Sequence, residues 1–244
     1  MMQAFLTTIA LGLAASTSAG PAEPETCTYR EVGGRMLSVH VFSPANGPRV
    51  DRPASAILLF HGGGWSAGAP EWTFTAARRF AAWGMVAIAV QYRLSEGEVT
   101  PIEALADICA AFRWARRHAG ELRLDPNRVA GYSVSAGGHL VTSSVTVGCP
   151  KEDGTTARAE PDALLLWSPA LDVARDGWFE RKLQGRAVPA AYSPLEHVRA
   201  TTPPTSIVQG GADTLTPLSG AKRYCGRAWC LALHLPVGVA CVTV

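Results

Sequence analysis

The sequence predicts an α/β fold, a mostly parallel sheet with helices on both faces. Two observations carry that prediction. Short continuous apolar runs recur along the chain, as strands buried on both faces require. Stretches with apolar residues three and four apart, the helical spacing, alternate with them. The 244 residues are 48% hydrophobic and 17% charged, which supplies a sizeable core and excludes a disordered chain. The length suits one large domain rather than two. A formal net charge of +2 is too small to argue for a nucleic acid or an anionic membrane as partner.

Taken in order, Leu37 to Phe42 alternates apolar and polar and reads as a strand. Ala56 to Phe60 is a continuous apolar run, hence a strand buried on both faces. A Gly-rich turn and a helical stretch from Glu71 to Trp83 follow, then a second buried strand, Met85 to Tyr92. Pro101 to Ala119 is a helix, because Leu105, Ile108, Cys109 and Phe112 share one face. Asp125-Pro126-Asn127 marks a turn before a short strand, Arg128 to Tyr132. Ala136 to Val145 is a helix, and Ala163 to Trp167 and Thr205 to Gln209 are strands. Pro217 to Ala228 reads as a helix and Leu231 to Leu235 as a last strand. The irregular stretch from Ser168 to Pro204 is expected to form a small cap over the carboxyl edge of the sheet and to shape the pocket; Trp167, Trp178 and Phe179 could line it, with core packing the favoured reading.

Residues 1–19 carry no charged side chain, and Phe5 to Ala15 is an apolar run too short to span a bilayer. Small residues follow up to Ala19, then Pro21 and Pro24. This is the pattern of a secretory signal peptide, so an exported protein without a stable membrane anchor is expected. Six cysteines suit export, but no C-x-x-C or H-E-x-x-H spacing suggests a metal site. Cys225 and Cys230 are the expected disulfide if oxidised. Cys109 reads as a buried small hydrophobe, and the pairing of Cys27, Cys149 and Cys241 stays open.

The chemistry is concentrated in two motifs. Ser133-Val134-Ser135-Ala136-Gly137-Gly138-His139 lies between a predicted strand and a predicted helix. A nucleophilic serine needs a sharp strand-to-helix turn, with small residues two positions before and after it. Ser135 meets this with Ser133 and Gly137; Ser133, flanked by Gly131 and Ser135, is the rival. The second motif, His61-Gly62-Gly63-Gly64-Trp65, directly follows an apolar strand. Three glycines in succession cost conformational entropy, and that makes sense where backbone N–H groups must face an oxyanion. Gly63, Gly64 and Ala136 are the candidate donors, and His61 would hold the loop in shape.

With both motifs in this order, the sequence resembles the α/β-hydrolase superfamily, in the esterase/lipase branch with an HGGGW oxyanion loop and an SAGG elbow. It is similar to the acetyl-esterase and feruloyl-esterase-like enzymes, related to the hormone-sensitive-lipase-like ones. Ser133 and Val134 stand where the common form has Gly and Asp. The resemblance spans roughly Leu37 to Leu235. It implies a three-layer α/β-hydrolase fold over residues 20–244, short at the C-terminal end relative to the family pattern. It also implies an acid and then a histidine after the nucleophile. Asp213, in Gln209-Gly210-Gly211-Ala212-Asp213, matches the acid loop. His234 is the one histidine beyond it, although its surroundings read as a strand and the family's base lies on the following loop.

The expectation is a serine hydrolase that cleaves small carboxylic esters through an acyl-enzyme, with Ser135, His234 and Asp213 as its triad and no metal or organic cofactor. The alternatives are a scaffold that binds an ester-like ligand without turnover, and a prolyl-oligopeptidase-like peptidase. Oligomeric state is not legible.

Overall fold

A computed structural model of the chain describes residues 23–44, 52–151 and 156–235. The expected leader, Cys241 and the residues after Leu235 lie outside them. Eight strands form one sheet: β1 (Glu25–Val32), β2 (Arg35–Phe42), β3 (Ala54–Phe60), β4 (Val86–Val90), β5 (Leu124–Val134), β6 (Ala163–Trp167), β7 (Thr205–Gly210) and β8 (Cys230–Leu235). Their spatial order is β1-β2-β4-β3-β5-β6-β7-β8. The β1–β2 and β2–β4 pairs are antiparallel, and every pair from β4 across to β8 is parallel. The helices are α1 (Phe74–Ala82), α2 (Pro101–Arg117), α3 (Ser135–Thr146), α4 (Gly177–Leu183), α5 (Pro194–His197) and α6 (Leu218–Cys225).

The apolar run of β3 explains the layering. Its side chains alternate across the sheet. Ile57 and Leu59 join Phe80 and Ala77 of α1 on one face. Leu58 and Phe60 join Phe112 of α2 and Leu140 of α3 on the other. All four β3 side chains are fully buried, and each contributes roughly 1.5–3 kcal/mol by leaving water. The start of α2 is set by a capping box: the Thr100 hydroxyl accepts from the Ile102 N–H, and Glu103 accepts from the Thr100 N–H. Pro101 follows at the first helical position, where its missing N–H costs nothing.

Several elements differ from expectation. Strand β1 lacks an apolar run because it is an edge strand with one buried side chain, Tyr29. Its pairing with β2 is made by Gly33 and Gly34, whose positive φ angles of 57° and 74° form a two-residue hairpin turn. The helix expected from Glu71 begins as a 3-10 turn, Pro70–Thr73, before α1. The turn expected at Asp125 lies inside β5, where pairing with β3 slips register. Cys109 is in the core as expected, and its sulfur is in addition bonded to Cys149, joining α2 to the residues just after α3. Cys225 and Cys230 are bonded as expected.

The sheet order also places a crevice. From β3 the chain moves outward to β4, then returns to the other side of β3 as β5. Loops leaving the carboxyl ends of β3 and β5 therefore diverge and leave a cleft, the usual ligand position in open α/β sheets.

Candidate active site

Both sequence motifs open into that cleft, because Phe60, which ends β3, pairs with Ser133 of β5. Val134 is extended, but Ser135 has φ +50°, left-handed for a residue with a side chain. Such a conformation costs of order 1–3 kcal/mol and persists only where its surroundings enforce it. Here they do. A Cβ on Gly137 would overlap the His61 carbonyl oxygen and lie 2.9 Å from that of Phe60; one on Gly138 would lie 2.7 Å from Pro169. Small residues after the serine thus let α3 press against the neighbouring strand end. Ser133, the rival, is fully buried within β5. The sharp turn is at Ser135, which lines the cavity.

The glycine loop is opposite. Gly63 and Gly64 have φ of +107° and +57°. The Gly63 carbonyl accepts from the N–H groups of Ser66 and Ala67. Among the described residues neither the Gly63 nor the Gly64 N–H has an acceptor. Ala136 is in the first turn of α3, whose N–H groups a helix leaves unpaired. His61 is 2% exposed and stacks on Tyr92 with ring centroids 4.3 Å apart. Its Nδ1 is 2.7 Å from the Gly62 carbonyl, and the Tyr92 hydroxyl donates to the His61 carbonyl at 2.8 Å. Burial pushes the His61 imidazole below its ordinary pKa, outweighing the Gly62 hydrogen bond. A neutral ring clamped in this way holds the loop by shape, not charge.

Trp65 at the end of the motif is buried and donates from Nε1 to His139 Nδ1 at 3.1 Å. His139 Nε2 is 2.8 Å from the Tyr192 carbonyl. A ring that accepts at Nδ1 and donates from Nε2 is the neutral tautomer. Complete burial pushes its pKa down to about 4, against the opposing effects of the Tyr192 bond and Asp176.

Asp213 lies on the loop after β7. It accepts from the N–H groups of Leu215 and Thr216 at 3.0 and 2.8 Å, from the Thr216 hydroxyl at 2.8 Å and from the Gln209 amide at 3.2 Å. Partial burial pushes its carboxyl up, but the Thr216 and Leu215 donors outweigh that and hold it below the usual carboxylate value. The helix that follows is capped at Pro217, so Asp213 shapes the loop and not the helix end. Thr214, Leu215 and Thr216 line the same cavity as Ser135, Gly63, Gly64 and Ala136. Its volume is about 510 Å³, the size of a small-molecule site.

The histidines are distributed unevenly. His40 contacts Thr26, His118 stacks on Trp114, and His197 is bonded to the Ala190 carbonyl. His61 and His139 are held as described. His234 lies on β8 and pairs in register with Gln209, whose amide donates to Asp213. Its backbone is therefore in a strand beside the base of the Asp213 loop. Among the described residues no cluster of His, Cys, Asp or Glu is arranged to hold a metal ion, and no helix is long and apolar enough to cross a membrane.

For Trp178 the favoured core reading gives way to the pocket-lining one: it is 44% exposed and lines the cavity. The signal was present in the helical spacing: Phe179 and Leu183, four apart, are the buried stripe of α4, which leaves Trp178 beside that stripe. Trp167 is likewise 38% exposed, whereas Phe179 is in the core as expected.

Known proteins share these features. A family model described as alpha/beta hydrolase fold matches residues 57–189, a stretch containing the glycine loop and Ser135 but not Asp213. An arylesterase of Saccharolobus solfataricus is 33% identical over 110 residues, 44% of this chain and 34% of that protein. Carboxylesterase NlhH of Mycobacterium tuberculosis is 34% identical over 105 residues, 43% of this chain and 32% of that one. The chain thus spans about a third of the length of these curated relatives. The propionate-bound structure of the thermophilic esterase Est2 from Thermogutta terrifontis superposes with a TM-score of 0.77 at 33% identity, covering 88% of this chain and 84% of that one.

Proposed function

The chain belongs to the alpha/beta hydrolase fold family, and from that premise we propose that it is a serine esterase acting on small carboxylic esters. The observation that carries the proposal is the left-handed Ser135 at the β5–α3 turn, sharing one cavity with the unpaired N–H groups of the glycine loop. Ser135 Oγ attacks the ester carbonyl. The developing oxyanion is held by the N–H groups of Gly63, Gly64 and Ala136, which are in place before the reaction and need no reorganisation. His234, assigned as the base because it follows Asp213 in the chain and lies beside that loop, takes the serine proton and returns it to the leaving alcohol. Asp213, ionised at neutral pH, orients the histidine and stabilises its charged form. Water then releases the acyl-enzyme by the same steps in reverse.

The arylesterase and carboxylesterase relatives support an ester substrate, and the propionate-bound esterase supports a short acyl chain. Export is part of the same reading. The leader pattern of residues 1–19 supports it, and so do two disulfides, which persist in oxidising compartments.

Hydrolysis of p-nitrophenyl acetate and butyrate tests the proposal. Ser135→Ala and His234→Ala are each expected to lower kcat by roughly 10³-fold or more. Activity that survives His234→Ala places the base elsewhere. A folded wild-type protein with no turnover overturns the esterase reading in favour of a binding scaffold.

A further inference from the structure

We propose that Trp178 is the residue that sets how long a substrate chain the cavity admits, an inference that rests on the esterase reading above. The indole lies directly on the oxyanion loop. A Cβ built on Gly64 would be 2.5 Å from Trp178 Cζ2 and closer still to Cη2. The ring therefore touches the backbone whose N–H would hold the oxyanion, and it is a wall of the cavity that contains Ser135. Any substituent running past Gly64 meets it.

The wall is anchored from three sides. Asp176 caps α4, its carboxylate accepting from the N–H groups of Trp178 and Phe179 at 2.7 and 3.0 Å. Phe179 is fully buried, with its ring 5.0 Å from Trp65 and 4.6 Å from His139. Trp178 itself meets Trp65 edge to face at 6.0 Å. A surface tryptophan held this way acts as a fixed stop rather than a swinging lid. The same contact gives Gly64, which has no side chain of its own, a packed neighbour. Trp178 is thus both a specificity-determining and a positioning residue.

The test measures kcat/KM for p-nitrophenyl esters from acetate to octanoate and for acetates of lengthening alcohols, in wild type, Trp178→Ala and Trp178→Phe. Each newly buried methylene is worth about four-fold. Opening room for two is therefore expected to raise the long-to-short ratio by about 15-fold in Trp178→Ala, and by less in Trp178→Phe. The acetate kcat is expected to fall several-fold as Gly64 loses its brace, with KM little changed. A ratio shift in either series supports the proposal, and the series that shifts shows which arm of the ester lies against the indole. Ratios within two-fold of wild type in both series overturn it. Should wild type hydrolyse none of these esters, the esterase reading fails by itself. Calorimetric binding of butyrate and octanoate then decides the wall: octanoate gaining on butyrate only in Trp178→Ala supports it, and equal ratios in both proteins refute it.

Discussion

Acidification is expected to destabilise this fold through His139, and the size of the effect follows from its surroundings. The imidazole is enclosed, accepts from Trp65 at Nδ1 and donates to the Tyr192 carbonyl. A second proton has no acceptor and would break the Trp65 bond. The folded pKa of about 4 is below the ordinary 6.5, so the unfolded chain takes up the proton first. The contribution is complete above pH 6.5 and is lost as pH falls from there towards 4. Linkage makes the full loss about 3 kcal/mol, most of which falls between pH 7 and 4.5. Urea unfolding at these two pH values measures it. His139→Gln keeps an acceptor and a donor but cannot titrate. Other acidic groups weaken both proteins, so the expected signature is an additional loss of about 2 kcal/mol in wild type alone. Equal losses in the two proteins would refute the linkage to His139. Because Trp65 adjoins Gly64, esterase activity should decline over the same interval.

Two other outcomes follow from contacts in the core. Removing the Cys109–Cys149 bond releases a closed loop with a sequence separation of 40; Cys149→Ser is expected to cost about 4 kcal/mol in urea unfolding without reductant. Gly137→Ala would drive a methyl into the His61 and Phe60 carbonyls; a loss of about 1–3 kcal/mol and at least a ten-fold drop in kcat/KM are expected. Gly120→Ala, with nothing within 4 Å, should change neither.

What could be read from sequence and what could not divide along physical lines. Buried parallel strands are legible, since both faces must be apolar; Ala56 to Phe60 reads as a strand on that ground and forms most of β3. Strand β1 was not legible, because an edge strand buries little, and its signal was the Gly33-Gly34 pair instead. The Cys109–Cys149 bond was illegible because Cys109 also satisfies the apolar stripe of α2, and a stripe does not distinguish a packed thiol from a bonded one. The glycine loop and the serine turn were legible because each needs residue types that few other settings tolerate. Trp178 was not, since an aromatic near a buried stripe is compatible with either core or cavity until the helix phase is known.

A run of three glycines is costly to immobilise, and a flexible turn would make a poor oxyanion site, because donors that must be ordered during the reaction return their binding energy as entropy. The structure meets that cost with neighbours. From beneath, the His61 ring is stacked on Tyr92 and fills the space that a Cβ on Gly68 would need. Beyond the loop, Trp65 is tied to His139 and packed on Phe179. From above, the indole of Trp178 covers Gly64. Across the cleft, α3 approaches so closely that Gly137 has no room for a side chain. Glycine is needed for the backbone path, and the rigidity it lacks comes from aromatic side chains on three other segments: Tyr92 after β4, His139 of α3, and Trp178 and Phe179 of α4. It follows that mutations at Tyr92, Trp65 or Trp178, none of which reacts with substrate, should lower kcat more than they raise KM.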